Sequence, residues 1–115
     1  MKDKTKPYLH SDLSKYKRGW LVGDFDPAIF KRDNVEIALK TYTAGETEKT
    51  HYHKLFDEFT IILDGKVSIN NIIYEKECII CIPARGVSSF KAIEDTKTLV
   101  IRTGSNPNDK YNLED

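Results

Sequence analysis

Two histidines two residues apart, with a glutamate five residues further on, are the residues of this chain best equipped for chemistry. They are His51, His53 and Glu58, inside the stretch GETEKTHYHKLFDEFTIILDG that runs from Gly45 to Gly65. On a strand, or its extended lead-in, side chains alternate, so His51 and His53 share a face while Tyr52 points away. Their Cα atoms then lie about 6.6 Å apart at ~3.3 Å per residue, a gap that two imidazoles close onto one ion with bonds of about 2.1 Å. The intervening KLFD leaves room for a turn that returns Glu58 beside the histidines. Two neutral imidazoles and a carboxylate suit zinc, iron, nickel, copper or manganese. The same side chains also suit direct contact with a ligand without metal, or plain hydrogen-bonded strand positions.

The elements that must position these groups read as short strands. Apolar runs separated by turn chemistry follow one another: GWLVGDF, VEIALKTYT, EFTIILDGKVSIN, NIIYEKECIICIP, GVSSFKAI and TKTLVIRT. Many short strands with regular punctuation mark an all-β sandwich or barrel. Asp64-Gly65 adopts positive φ easily and predicts a hairpin between Thr60–Leu63 and Lys66–Ile69. Asn70-Asn71 can serve the same purpose less strongly. DPAIFKRDN supplies a turn, Trp20 packs one edge of the barrel, and the polar tail GSNPNDKYNLED wraps the surface or a neighbour. The expected organisation is an N-terminal arm over residues 1–18, one β-barrel domain over 19–104 and a C-terminal tail over 105–115.

Composition narrows the function classes. A chain of 115 residues suits one domain, burying about two-thirds of its unfolded surface. Lysine plus arginine balances aspartate plus glutamate at 18 each, so no global field recruits nucleic acid or an anionic membrane. The N-terminal segment is too charged for a signal peptide, and the longest apolar runs are too short to cross a bilayer. A cytoplasmic protein is the expectation. Cys78 and Cys81 are spaced C-x-x-C, but residues three apart on a strand face opposite ways and cannot pair. They read as buried structural thiols in a reducing compartment.

The spacing Gly45, five residues, His51-x-His53, four residues, Glu58, six residues, Gly65 resembles the first motif of the cupin superfamily, G-x5-H-x-H-x3,4-E-x6-G, at every fixed position. The resemblance spans roughly residues 35–103. It implies a single-domain, jelly-roll β-barrel, frequently dimeric, with a pocket opening among the strands. The second cupin motif, G-x5-P-x-G-x2-H-x3-N, is degenerate here. Pro83 is present, Glu77 stands for the opening glycine, and Gly86 comes one residue late. The histidine that completes the site is replaced, by Ser88 counting from Pro83 or Ser89 counting from Gly86, and Ala92 and Ile93 stand where the asparagine belongs. Asp109-Lys110-Tyr111 is similar to an ending found in one group of small cupins.

On that resemblance His51, His53 and Glu58 are the candidate metal ligands, akin to a two-histidine, one-carboxylate set, and Ser88 and Ser89 line the ligand site. Serine is a poor neutral ligand, so the loss of an imidazole weakens any metal site. Arg85, in the loop beside Pro83 and Gly86, is placed to grip a carboxylate or phosphate. The function expected is binding of a small polar molecule, sugar- or acid-like, through a divalent metal, with isomerase, epimerase or oxygenase chemistry. The alternative is a metal-free binding or regulatory module. A homodimer with a small-molecule partner is expected, with no nucleic acid and no membrane.

Overall fold

The computed structural model describes residues 9–113. Among them there are eleven strands and no α-helix. Two single turns of 3-10 helix, Leu13–Lys15 and Lys17–Gly19, lead into β1 (Trp20–Gly23), β2 (Phe30–Lys31), β3 (Glu36–Tyr42) and β4 (Thr47–Tyr52). There follow β5 (Glu58–Asp64), β6 (Lys66–Ile69), β7 (Ile72–Glu75), β8 (Ile79–Ile82), β9 (Ser88–Ala92), β10 (Thr96–Arg102) and β11 (Tyr111–Asn112). They form a six-stranded sheet in the order β2-β1-β3-β10-β5-β8 and a five-stranded sheet in the order β11-β4-β9-β6-β7. The fold is all-β and jelly-roll-like, with the two sheets separate rather than closed into one cylinder.

Period-two patterning decides which side chains enter the space between the sheets. In β5, Thr60 and Ile62 are buried, and Glu58 has the same parity. In β10, Thr96, Thr98 and Val100 are buried, and Arg102 continues their row. In β3, Glu36 and Ala38 are buried. Register then aligns the rows: β10 pairs with β3 and β5 on either side, and Arg102 stands opposite both Glu36 and Glu58. The strands are thus polar at one end and apolar at the other. The apolar core gathers Ile62, Val67, Ile69 and Ile80, with Tyr74, Cys78, Ile82 and Phe90 packed against it.

Two local expectations change. Asp64-Gly65 does not close a hairpin, because β5 lies in the larger sheet and β6 in the smaller. It is the corner at which the chain changes sheets. Gly65 takes φ +98, and a Cβ there would meet the Asp95 carbonyl at 2.4 Å, so the tight corner requires glycine. The hairpin comes one step later. Asn70 and Asn71, both at positive φ, join β6 to β7 with Ile69 opposite Ile72, as the twist of a two-residue hairpin demands. Of the two free thiols, Cys78 is half-buried against the core while Cys81 is exposed, because on β8 it alternates with the buried Ile80 and faces outward.

Arm and tail both reach the barrel. Gly19 packs flush on β3, a Cβ there falling 1.9 Å from the Leu39 carbonyl, which fixes Arg18 beside the polar end. The tail adds β11 to β4 and stacks Tyr111 on Tyr52 with ring centroids 5.3 Å apart. No helix among the described residues is long and apolar enough to cross a membrane.

Candidate functional site

His51 and His53 are both about 6% exposed, with ring centroids 5.2 Å apart, while Tyr52 faces the tail. Each ring is oriented through Nδ1, which donates to a backbone carbonyl: that of Lys49 for His51, at 2.8 Å, and that of Asp109 for His53. Because a carbonyl only accepts, Nε2 of each ring remains for other work. Nε2 of His53 stands 3.4 Å from Oε2 of Glu58, too poorly aligned to count as a full hydrogen bond, and is left without a partner among the described residues. The turn after β4 thus does return Glu58 to the histidines.

Glu58 has a second, stronger neighbour. Arg102 Nε donates to Glu58 Oε2 at 2.7 Å, and Arg102 Nη1 donates to Glu36 Oε1 at 2.7 Å. Ser105 Oγ donates to the other oxygen of Glu36, and the guanidinium lies 4.6 Å from the Trp20 ring centroid. Burial pushes the Glu58 carboxyl up, but His53 and the charge and hydrogen bond of Arg102 outweigh it and hold the group at about 2. Glu58 is therefore a carboxylate at neutral pH. His51 is pushed down, first by burial and then by the charge of Lys110, against the opposing Lys49 carbonyl and Glu48, so it is a neutral imidazole there.

Glu48, Tyr42 and Lys40 complete the wall. A bulge in β4 shifts the register between Glu48 and His51, so two residues of opposite parity face the same interior. Glu48 accepts from the Tyr42 hydroxyl and pairs with Lys40 at 3.4 Å. Burial pushes the Tyr42 phenol up, and Glu48 adds to it, so the phenol keeps its proton and donates. Glu48, His51, Glu58, Ser88 and Thr98 surround an inner cavity of about 30 Å³, room for about two waters. Beyond Trp20 and Arg102 an outer chamber of about 290 Å³ opens, close to the lower end of small-molecule sites.

The residues expected from sequence fall in three places. His51, Glu58, Ser88 and Ser89 line the inner cavity, and His53 sits behind it against Glu58. Ser88 is the cross-strand partner of His51, so the position of the missing imidazole is next to the first histidine. Arg85 lies in neither chamber but in a shallow depression with Tyr52, Lys54 and Val87. The glycine positions of the second motif fall on Glu77 and Arg85, and both hold positive φ, +75 and +72, a conformation glycine takes at no cost.

The donors do not fit a metal as they stand. Among the described residues no three His, Cys, Asp or Glu side chains converge as a metal-holding group. Glu58 instead accepts from the Arg102 guanidinium on Oε2, the oxygen that also faces His53, so a cation of the protein already faces the carboxylate.

No protein-family model matches the chain, and no curated protein matches its sequence. Solved structures do match. A cupin superfamily protein from Desulfitobacterium hafniense, 24% identical, superposes with a TM-score of 0.58 over 64% of this chain and 70% of its own. The chain has the cupin fold. KdgF from Halomonas sp. shares that fold with a TM-score of 0.61 at 11% identity, covering 64% of this chain and 73% of its own. The capsular polysaccharide assembling protein CapF from Staphylococcus aureus matches with a TM-score of 0.59 and 22% identity over 74% of this chain. This cupin-fold chain spans only 28% of CapF.

Proposed function

We propose that this cupin-fold protein binds a small polar molecule, sugar- or acid-like, between its sheets without a metal ion. One observation carries the reading. The two buried side-chain polar atoms without a partner among the described residues are Nε2 of His53 and Oγ1 of Thr98. Thr98 lines the inner cavity, and His53 abuts its Glu58 wall. An unmet buried polar group costs about 1–3 kcal/mol, and a polar group entering the inner cavity removes the share that Thr98 carries, while His53 lies behind the Glu58 wall. Arg102 supplies the positive charge at Glu58 that a divalent metal supplies in the competing reading. If the bound molecule reacts, His51, which lines the inner cavity with only Nδ1 engaged, is the group suited to move a proton, the elementary step of isomerisation or epimerisation. The homodimer and the cytoplasmic location belong to the same proposal. The exposed Ile72, Ile73 and Ile79 put apolar side chains on the edge strands β7 and β8 that a second copy would cover, which light scattering tests.

Protein purified without chelator or histidine tag should carry no stoichiometric metal by elemental mass spectrometry. A panel of sugars and small acids should raise its melting temperature, as a ligand of the native state must, and His53→Ala should abolish the rise. Stoichiometric metal that disappears in His53→Ala transfers the reading to a metal-dependent cupin. A panel that leaves the wild type unmoved ends the binding reading.

A further inference from the structure

The outer chamber tells what charge the small molecule carries, an inference that rests on the binding reading above. Its walls bear carboxylates and cations in nearly equal number, but the two are not equally engaged. Every carboxylate is committed within the protein. Glu36 is held by Arg102 and Ser105, and Glu48 by Tyr42 and Lys40. Asp109 accepts the backbone N–H groups of Lys54 and Leu55 at 2.8 and 3.0 Å, and Asp26 pairs with Lys31. Of the cations on the same walls, Lys17, Arg18 and Lys110 make no ion pair among the described residues.

Their placement is built into the backbone. Arg18 sits at φ +54 in the turn locked down by Gly19 on β3. Lys110 is carried in by the tail between Asp109, which holds the turn after His53, and Tyr111 on β11. Arg18 and Lys110 arrive from opposite ends of the chain at one chamber. Arg18 and Lys110 are exposed at the mouth of the chamber, and burial together with the charges of Lys40, Arg18 and Arg102 pushes the Lys110 ammonium down, against the pull of Glu48. Like charges held together in a concave site attract an anion. Trp20, with Arg102 over its ring, lines the chamber, and the inner cavity, which shares Glu48 with it, presents His51 as a partner for a hydroxyl.

We propose that the outer chamber recognises a small hydroxylated carboxylate, its acid group gripped by Arg18 and Lys110 and its hydroxyl-bearing end directed toward Glu48 and His51. Gluconate and glucitol make the discriminating pair, since they share a six-carbon polyol skeleton and differ in the acid. Malate and citrate extend the acids, and inorganic phosphate tests whether charge alone suffices. Calorimetric titration of the intact chain should detect gluconate or one of the other acids at millimolar concentration, more weakly as salt is raised, and glucitol not at all. Arg18→Gln and Lys110→Gln should each weaken the acid by about tenfold. Lys91→Gln, exposed on β9 outside both chambers, should not weaken it.

Equal binding of glucitol and gluconate, or full affinity in both glutamine variants, overturns the carboxylate assignment. If binding is then still lost in His53→Ala, the interior site itself stands. Phosphate binding as tightly as the hydroxy acids shows an anion site without the hydroxyl preference and also overturns the proposal. No binding by any probe overturns both the carboxylate assignment and the reading beneath it.

Discussion

Arg102→Met is the substitution that probes the barrel interior most sharply. Methionine keeps much of the length of the arginine stem and its packing on Trp20 but removes the guanidinium. Two hydrogen bonds of 2.7 Å to carboxylates disappear, and Glu36, 2% exposed, faces Glu58 without a countercharge. Breaking a buried ion pair from one side costs about 3–5 kcal/mol. An independent route gives a similar figure. Holding Glu58 at about 2 rather than its ordinary 4.5 corresponds to about 3 kcal/mol at 1.36 kcal/mol per pH unit, an upper bound for Arg102 because His53 shares the effect. In a domain of this size each kcal/mol moves the melting temperature by roughly 3–5 °C, so a fall of roughly 10–20 °C is expected.

The pH dependence adds a signature. A carboxylate whose folded-state pKa is depressed stabilises above its unfolded value, and that stability fades as pH falls through the folded one. The wild type should therefore lose stability between about pH 4.5 and pH 2. The variant, with Glu58 lowered by His53 alone, should lose less, so the two curves should approach each other in that window. Urea denaturation across pH 2.5 to 7 measures both effects. A loss below about 1 kcal/mol that stays constant with pH would refute the ion-pair triad.

Other substitutions test the remaining supports. Gly65→Val should destabilise by about 2 kcal/mol or more, read by urea denaturation, because a β-branched residue meets both a positive φ and the Asp95 carbonyl; a neutral result means the corner is misplaced. Asp109→Ala should cost about 2 kcal/mol by releasing two amide hydrogen bonds, and should raise amide exchange at Lys54, Leu55 and β11 while the core strands stay protected. Ser88→His places an imidazole opposite His51 and should give measurable zinc binding by calorimetry where the wild type gives none. No gain in zinc binding would show that the second-motif histidine is not the missing ligand.

The histidine pair and Glu58 were legible in the sequence because parity is local. Two residues of one strand separated by one must share a face, and a four-residue connection leaves a third little freedom. Arg102 and Glu36 were not legible, since they lie 44 and 66 residues from their partners or each other and meet only through the register of β3, β10 and β5. A signal did exist: Glu36-x-Ala38, Glu58-x-Thr60 and Val100-x-Arg102 each end a buried row on a single charge. Glu48 was hidden by the bulge, which reverses the parity that sequence periodicity assumes. Asp64-Gly65 misled because the residues that permit positive φ in a hairpin permit it equally in a corner between sheets. Lys110 lay in a segment whose composition indicates only turns.

The tail separates folding from competence. None of the buried apolar residues of the core lies beyond Val100, whereas the carbonyl that aims His53, the carboxylate that holds its turn and the Lys110 ammonium all come from Asp109 onward. A chain ending before Asn106 would lose β11 and the roughly 2 kcal/mol carried by the Asp109 hydrogen bonds but keep its apolar core and the strands around it, and it would present an unaimed imidazole to an unguarded opening. Quality control that senses only exposed apolar surface would not distinguish the two.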